Sequence, residues 1–543
     1  MKPINTSFYD FDRIIKGGFV YVDKTAILYE LAKPNADGIY YLPRPRRFGK
    51  SLMISTLKAL FLGRRDLFRG LKIETTDWDW EEEVYPVLHL DMSQASSGNF
   101  ADFKSNLLNL VEGHCGEHGA PFDPKKTAEA NFKNLLEHLA KSSPNGKYVL
   151  LIDEYDAPIA QLLDSAEGRA ELPLMRKALH DFYVQAKAHC GDMRFLMVTG
   201  VSKFAKTSIF SAFNNPKDLT FDARAADLLG YTHEEMETYF HEHIQAFADE
   251  RGMSYDAAFA ELLAWYDSYQ FSAKRLVKVV NPVSLGNALS TRELKGYWES
   301  TAGSTLIYDA LKSGNCGPFD LASQVGVNTL DAADALEAPA VALLYQGGYL
   351  TIDRRISDER VLLKIPNYEV RQSLEQGYIS RLLGKDFQLD NFRFAAEDSA
   401  VQLAAEGCTD AFGTMLRSAY SMLPHDWVCK DEKEAKRYFI AFMCFARAEI
   451  AGEPQHATGR PDAVLRTERG VYIFEFKYAQ SADAALRQCR DRNYAARFAG
   501  ENRPVYYVGV NYDPKSRTVD DVKAEEALDP AAQVRREVPP DLV

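Results

Sequence analysis

A chain of 543 residues with 46% apolar content can bury several ordinary cores and is long enough for two to four domains. Its net charge of −13 argues against a surface coated in basic residues for nucleic acid, and leaves room for a local basic groove. Seven scattered cysteines with no CxxC pair argue against a disulfide frame or a cysteine zinc site, and fit reduced thiols in the cytoplasm. The N-terminus lacks the apolar core of a signal peptide, and no apolar run approaches the roughly 18 residues of a membrane span.

In chain order, GIYYL (38–42), VLHLDMS (87–93), YVLLIDE (148–154) and FLMVTGV (195–201) read as short buried strands. Between them, stretches such as SLMISTLKALFLG and NFKNLLEHLAKS carry helical spacing. This alternation predicts an α/β fold: a parallel sheet flanked by helices, with ligands beyond the carboxyl ends of the strands.

LPRPRRFGKSLM (42–53) follows the first of these strands and opens a helix. It ends as a phosphate-binding loop ends, with Gly49, Lys50 and Ser51, but Arg44 stands where the form G-x-x-x-x-G-K-[ST] has its first glycine. The backbone N–H groups of Phe48, Gly49, Lys50 and Ser51, with Leu52 next in the helix, would face phosphate oxygens of ATP. Lys50 would add charge near the β and γ phosphates, and Ser51 would ligate Mg2+. Arg44, Arg46 and Arg47 would supplement the cradle, and Pro43 and Pro45 would stiffen its lip. The letters GKS alone leave open a basic turn before a helix. YVLLIDEYD narrows the choice: Asp153 would hold the magnesium shell and Glu154 would polarise the attacking water. Thr199, with Ser202 beyond it, would sense the γ-phosphate at the tip of the fourth strand.

The stretch 226–390 reads as mostly helical. LLGYTHEEMETYFHEHIQAFADE is amphipathic, and VALLYQGGYLTIDRRISDERVLLKIPN suggests a helix, a turn and two short strands. That shape is compatible with a winged-helix module, although a helical lid on the first domain is the favoured reading. Domain limits of 1–225, 226–390 and 391–543 follow.

GRPDAVLRTERGVYIFEFKYA (459–479) carries a second chemistry. DAVLRT and VYIFEFKY read as paired strands around a turn at 469–470. Alternation puts Tyr472, Phe474 and Phe476 on one face, and Val471, Ile473, Glu475 and Lys477 on the other. Glu475 and Lys477 then project together, and Asp462, thirteen residues before Glu475, can join them. Two carboxylates on Mg2+ beside a lysine that orients or deprotonates water form a site for phosphodiester hydrolysis. A solvent-facing Glu–Lys pair on a strand is the bland alternative. The charged tail from about 511 reads as a loose end.

RPRRFGKSL, LLIDEYDAPI, VTGVSKF, FSAFNNPKDLT and NPVSL (281–285) resemble the bacterial and archaeal AAA-ATPase-like family across nearly the whole chain. The resemblance implies that an arginine-rich lip is the normal form of the loop, and that a restriction-endonuclease-like PD-(D/E)xK domain follows. The Pro461-Asp462, Glu475 and Lys477 positions fill that domain's pattern directly. It also implies an acid on the preceding helix, assigned to Glu434, in register with Tyr438, Ala441 and Phe445 on the core side, with Glu432 as the alternate, or Glu453 before the first strand. Gln488 and Tyr494 match its glutamine–tyrosine pair, with Gln488 on a scissile phosphate or on the helix surface. One departure is Tyr266-Asp267-Ser268-Tyr269, where the family has glycine third. The expected protein is an ATP-driven or ATP-regulated nuclease acting on DNA in a defence or mobile-element setting. A nucleotide-dependent switch that binds without cutting is the alternative. The reading allows a homo-oligomer and expects no membrane contact.

Overall fold

The computed structural model describes residues 1–163, 165–203, 216–298, 324–332, 338–383, 410–421, 429–445, 449–451, 461–466, 470–498 and 503–528. The chain divides into two compact units, Met1–Ala310 with Ala322–Ser373, and Leu311–Leu321 with Leu374–Val543.

In the first unit all four expected strands form: β1 (Ile39–Pro43), β2 (Val87–Asp91), β3 (Tyr148–Asp153) and β4 (Met193–Gly200). With the two-residue β5 (Lys217–Asp218) they make a parallel sheet in the order β2-β3-β4-β1-β5. Residues 149–152 and 196–198 are fully buried, which explains why these runs are continuously apolar. Side-chain caps fix the starts of the covering helices. Asn99 accepts from Asp102 N before Phe100–His118, and Thr127 from Ala130 N before Ala128–Ser142, each worth about 1 kcal/mol. Because β4 lies between β1 and β3, the end of β4 stands between the phosphate-loop motif and the paired acids. Thr199 pairs with Leu42 across β1–β4.

The segment after the sheet belongs to the same unit. Thr232 and Glu235 close a reciprocal capping box on the helix His233–Arg251, so THEE is a start signal as well as an acidic face. The expected helix and two strands are present as Ala340–Gly347, β7 (Thr351–Arg355) and β8 (Arg360–Lys364), joined by β6 (Gln324–Gly326) in an antiparallel sheet. Gln346 accepts from Lys203 N, just past β4, at 2.9 Å. Ser268 has φ of 76°, so the turn that glycine makes freely is kept here at some strain.

The second unit holds a mixed sheet in the order β13-β12-β11-β10-β9, made by β9 (Glu449–Ala451), β10 (Ala463–Arg466), β11 (Val471–Tyr478), β12 (Val505–Asp513) and β13 (Thr518–Leu528). Only the β11–β12 pair is parallel. The alternation along β11 is as expected. Tyr472, Phe474 and Phe476 pack under the helices Asp410–Ser421 and Glu432–Phe445, while Val471 and Ile473 pack under Ala482–Asp491. A Cβ at Gly509 of β12 would stand 2.3 Å from Ala482 O, so glycine sets how closely that helix rests on the sheet. The tail is not loose as far as Leu528. Val519 and Val522 of β13 reach the core, while Asp520, Asp521, Lys523 and Glu525 lie on an edge strand whose charge conceals its inner face.

Candidate functional site

In the first unit the phosphate-loop motif joins β1 to the helix Lys50–Phe61. Gly49 has φ of 94°, and a Cβ built there would enter open space, so the backbone has the free approach that a phosphate needs. The Lys50 side chain is buried. Its Nζ donates to Arg44 O at 3.1 Å and Pro45 O at 3.2 Å, and stands 3.8 Å from Glu154 Oε1.

Arg44 does not join the phosphate cradle. It is 2% exposed, and its guanidinium donates to the carbonyls of Pro43, Leu219, Thr220 and Ala225 while resting 4.4 Å above the Phe271 ring. Burial lowers it to about 10, still charged at neutral pH. The residue in the first glycine's place therefore stitches the loop to the segment 219–225.

Phe48 is buried, 4.7 Å from the Tyr269 ring and 5.2 Å from that of Phe271, so its side chain is an anchor and only its backbone can serve a ligand. Arg47 donates to Tyr297 O, and Tyr297 N donates to the buried Glu369 at 2.6 Å, which braces the lip. Arg46 is exposed and its charge reaches Glu154. Ser51 is partly buried in the first helical turn, with Leu52 beside it.

At the end of β3, Asp153 is buried and its Oδ1 accepts from Thr199 Oγ1 at 2.5 Å and Glu154 N at 3.0 Å. Thr199 thus meets Asp153 directly. Glu154 has φ of 48°, a strained turn. Burial raises its carboxyl above the usual glutamate range, Lys50 pulls it down, and Asp156 and Asp153 push it up. Asp156, the next acid along the chain, is committed elsewhere. Its carboxylate accepts from Val201 N, Ser202 N and Ser202 Oγ, and so fixes the turn after β4. Ser202 is accordingly a structural partner of Asp156.

Beside the loop lies a mainly apolar cleft lined by Tyr21, Leu28, Gly49, Met53, Leu228 and Tyr231, among others. The N-terminal segment and residues 228–231 that help form it carry no phosphate- or metal-binding pattern, so the sequence does not mark the cleft.

In the second unit, carboxylate oxygens of Glu432, Asp462 and Glu475 lie within 4.8 Å of one another. Lys477 Nζ is 3.3 Å from Glu475 Oε1, 3.4 Å from Glu432 Oε1, and donates to Phe476 O at 2.7 Å. Lys436 Nζ donates to Asp462 Oδ1 at 3.0 Å, while Phe476 N donates to Asp462 Oδ2 at 2.8 Å. Gln488 Nε2 donates to Glu475 Oε1, and Glu475 Oε2 is buried without a hydrogen-bond partner among the described residues. The glutamine therefore braces the acid. Tyr494, 2% exposed, hydrogen-bonds Gln488. Burial and the neighbouring Asp462 raise Glu475 to about 8, against the pull of Lys477.

Glu434 is not in this group. Its carboxylate accepts from Lys430 N at 2.8 Å, ahead of its own helix. The core face of that helix runs through Ala435, Phe439 and Phe442, one residue away from the register expected through Tyr438. The shift turns Glu432, with Lys436 one turn later, towards the acids. Lys436 was missed altogether, although its i, i+4 spacing from Glu432 puts both on one face. Glu453 lies outside the described residues.

Residues 5–210 match the family described as Predicted AAA-ATPase, and residues 430–522 match the PD-(D/E)XK nuclease superfamily. The chain thus carries an AAA-ATPase-like domain followed by a PD-(D/E)XK nuclease superfamily domain. It is also 29% identical over 530 residues to an uncharacterized protein in the vnfD 5′ region of Azotobacter chroococcum mcd 1, covering 95% of this chain and 98% of that one. No described helix is long and apolar enough to cross a membrane.

Proposed function

We propose that the protein binds and hydrolyses ATP in its first unit and cleaves phosphodiester bonds of DNA with Mg2+ in its second, in a defence or mobile-element setting. The observation that carries this reading is the gathering of Glu432, Asp462 and Glu475 with Lys477. The buried Glu475 Oε2, unpartnered among the described residues, and the all-carboxylate donor set suit a hard divalent cation. Asp462 and Glu475 would hold it with help from Glu432. Such a cation neutralises phosphate charge and makes bound water a better nucleophile. Lys477 orients the water or takes its proton, and Gln488 keeps Glu475 in place. Lys436, once Asp462 turns to a cation, is near enough to meet the anionic substrate.

In the first unit, the open backbone at Gly49 and the Lys50 ammonium receive the phosphates of ATP. The apolar cleft beside Gly49 takes the base. Ser51 and Asp153 are the residues that would hold Mg2+ there, Thr199 steadies Asp153, and Glu154 receives the proton of the attacking water. The raised carboxyl of Glu154 suits a proton acceptor.

Purified protein incubated with DNA and RNA, with and without Mg2+ and ATP, tests the reading. Mg2+-dependent cleavage of DNA is expected. ATP turnover without cleavage of any substrate would favour the nucleotide-dependent switch.

A further inference from the structure

The helix Phe100–His118 ends in HCGEH, residues 114–118. Neither unit's proposed chemistry uses it. His114 and His118 are one turn apart, with Glu117 between them on the same side. One ligand atom from each of the three lies within 4.8 Å of the other two. Around a tetrahedral zinc ion with bonds of ~2.1 Å, ligand atoms stand about 3.4 Å apart, so small side-chain adjustments bring this trio to bonding distance. We propose that His114, Glu117 and His118 form a second cation site, for zinc, in the first unit.

Several independent observations support it. His118 Nε2 is buried and meets no hydrogen-bond partner among the described residues, which leaves it available to an ion. The trio occupies the last turn before the left-handed Gly119, where the helix dipole favours positive charge. Two imidazoles and one carboxylate also make a donor set of the zinc type, unlike the three carboxylates of the other unit.

One contact opposes the ion. Lys58, on the helix that opens at the phosphate loop, has its Nζ 3.8 Å from Glu117 Oε1. His114 Nδ1 is itself 3.2 Å from Glu117 Oε2. Also close is His138, whose Nε2 is 3.2 Å from His118 O. Zinc must therefore draw Glu117 away from Lys58, and lysine and zinc compete for one carboxylate.

The experiment uses the untagged full chain carrying Glu475→Ala, so that the acidic site of the other unit contributes little. Co2+ is titrated and followed by its visible d–d absorption, and Zn2+ is then added in competition. One Co2+ per chain is expected, displaced by Zn2+. His118→Gln and His114→Gln should each weaken it at least tenfold, whereas Lys58→Met should tighten it about two- to fivefold. Thermal melts in chelator check that each variant is folded. No uptake by the Glu475→Ala protein, or uptake unchanged in folded His114→Gln and His118→Gln proteins, overturns the site. Loosening by Lys58→Met overturns the competition.

Discussion

The two sites keep their charged groups in different ways. At the phosphate loop, the cation that would meet substrate is satisfied by backbone: Lys50 leans on the carbonyls of Arg44 and Pro45, and Glu154 is 3.8 Å away. At the acid cluster, charge is balanced by charge: Lys436 holds Asp462, Lys477 holds Glu475 and Glu432, and Glu475 keeps a carboxyl raised to about 8. A lysine on neutral carbonyls moves to a phosphate at little cost, so the loop is ready as built. Carboxylates that lean on lysines must exchange those partners when a divalent cation binds, and the raised Glu475 must also give up its proton. The second site should therefore respond to pH and metal much more strongly than the first.

The largest effect expected in the first unit is on chemistry. Glu154→Gln keeps the shape and loses the proton acceptor. ATP should still bind, while turnover measured by phosphate release falls about a thousandfold. Turnover at the wild-type rate would remove Glu154 from the role, and Asp156, tied to Ser202, could not replace it without breaking the turn. Next comes Lys50→Ala, which should weaken ATP binding about a hundredfold by calorimetry. Unchanged affinity would mean that the loop is only a basic turn.

The contrast is sharpened by pH. A carboxyl raised in the folded state is stabilising below its unfolded value, and that contribution is lost as pH rises through the folded one. In chelator, the urea midpoint of the full chain should fall between about pH 4.5 and 8, and Glu475→Gln should remove that part of the fall. Mn2+ affinity should rise through the same window. Lys436→Met frees Asp462 from its ion pair and should tighten Mn2+ about fivefold by calorimetry. If it loosens binding, Lys436 is a support for the acids and not their counter-ion. The smallest effect is on backbone. Ser268→Gly relieves a left-handed serine and should raise stability by about 1 kcal/mol, with no change at either site.

Much of this is legible in the sequence. Buried strands of five to eight residues show as unbroken apolar runs, and β11 shows its two faces because side chains alternate strictly. Composition cannot say where a long cation points, however. Arg44 and Arg46 are equivalent in the sequence, yet one is sealed among carbonyls and the other is exposed. Helical register is similarly fragile. Choosing Tyr438 over Phe439 as the core residue moved the helix acid from Glu432 to Glu434, two positions and about 200° around the axis. The β13 strand was hidden because an edge strand needs only one apolar face, and Val519 and Val522 are few among the charges.

The central claim is that the second unit is a metal-dependent phosphodiesterase centred on Glu475. The most direct test is the rate of Mg2+- or Mn2+-dependent DNA cleavage by wild-type and Glu475→Ala proteins that bind ATP equally well. The account predicts about a thousandfold loss in the variant. Cleavage by Glu475→Ala as fast as by wild type, on DNA and on RNA, would contradict it.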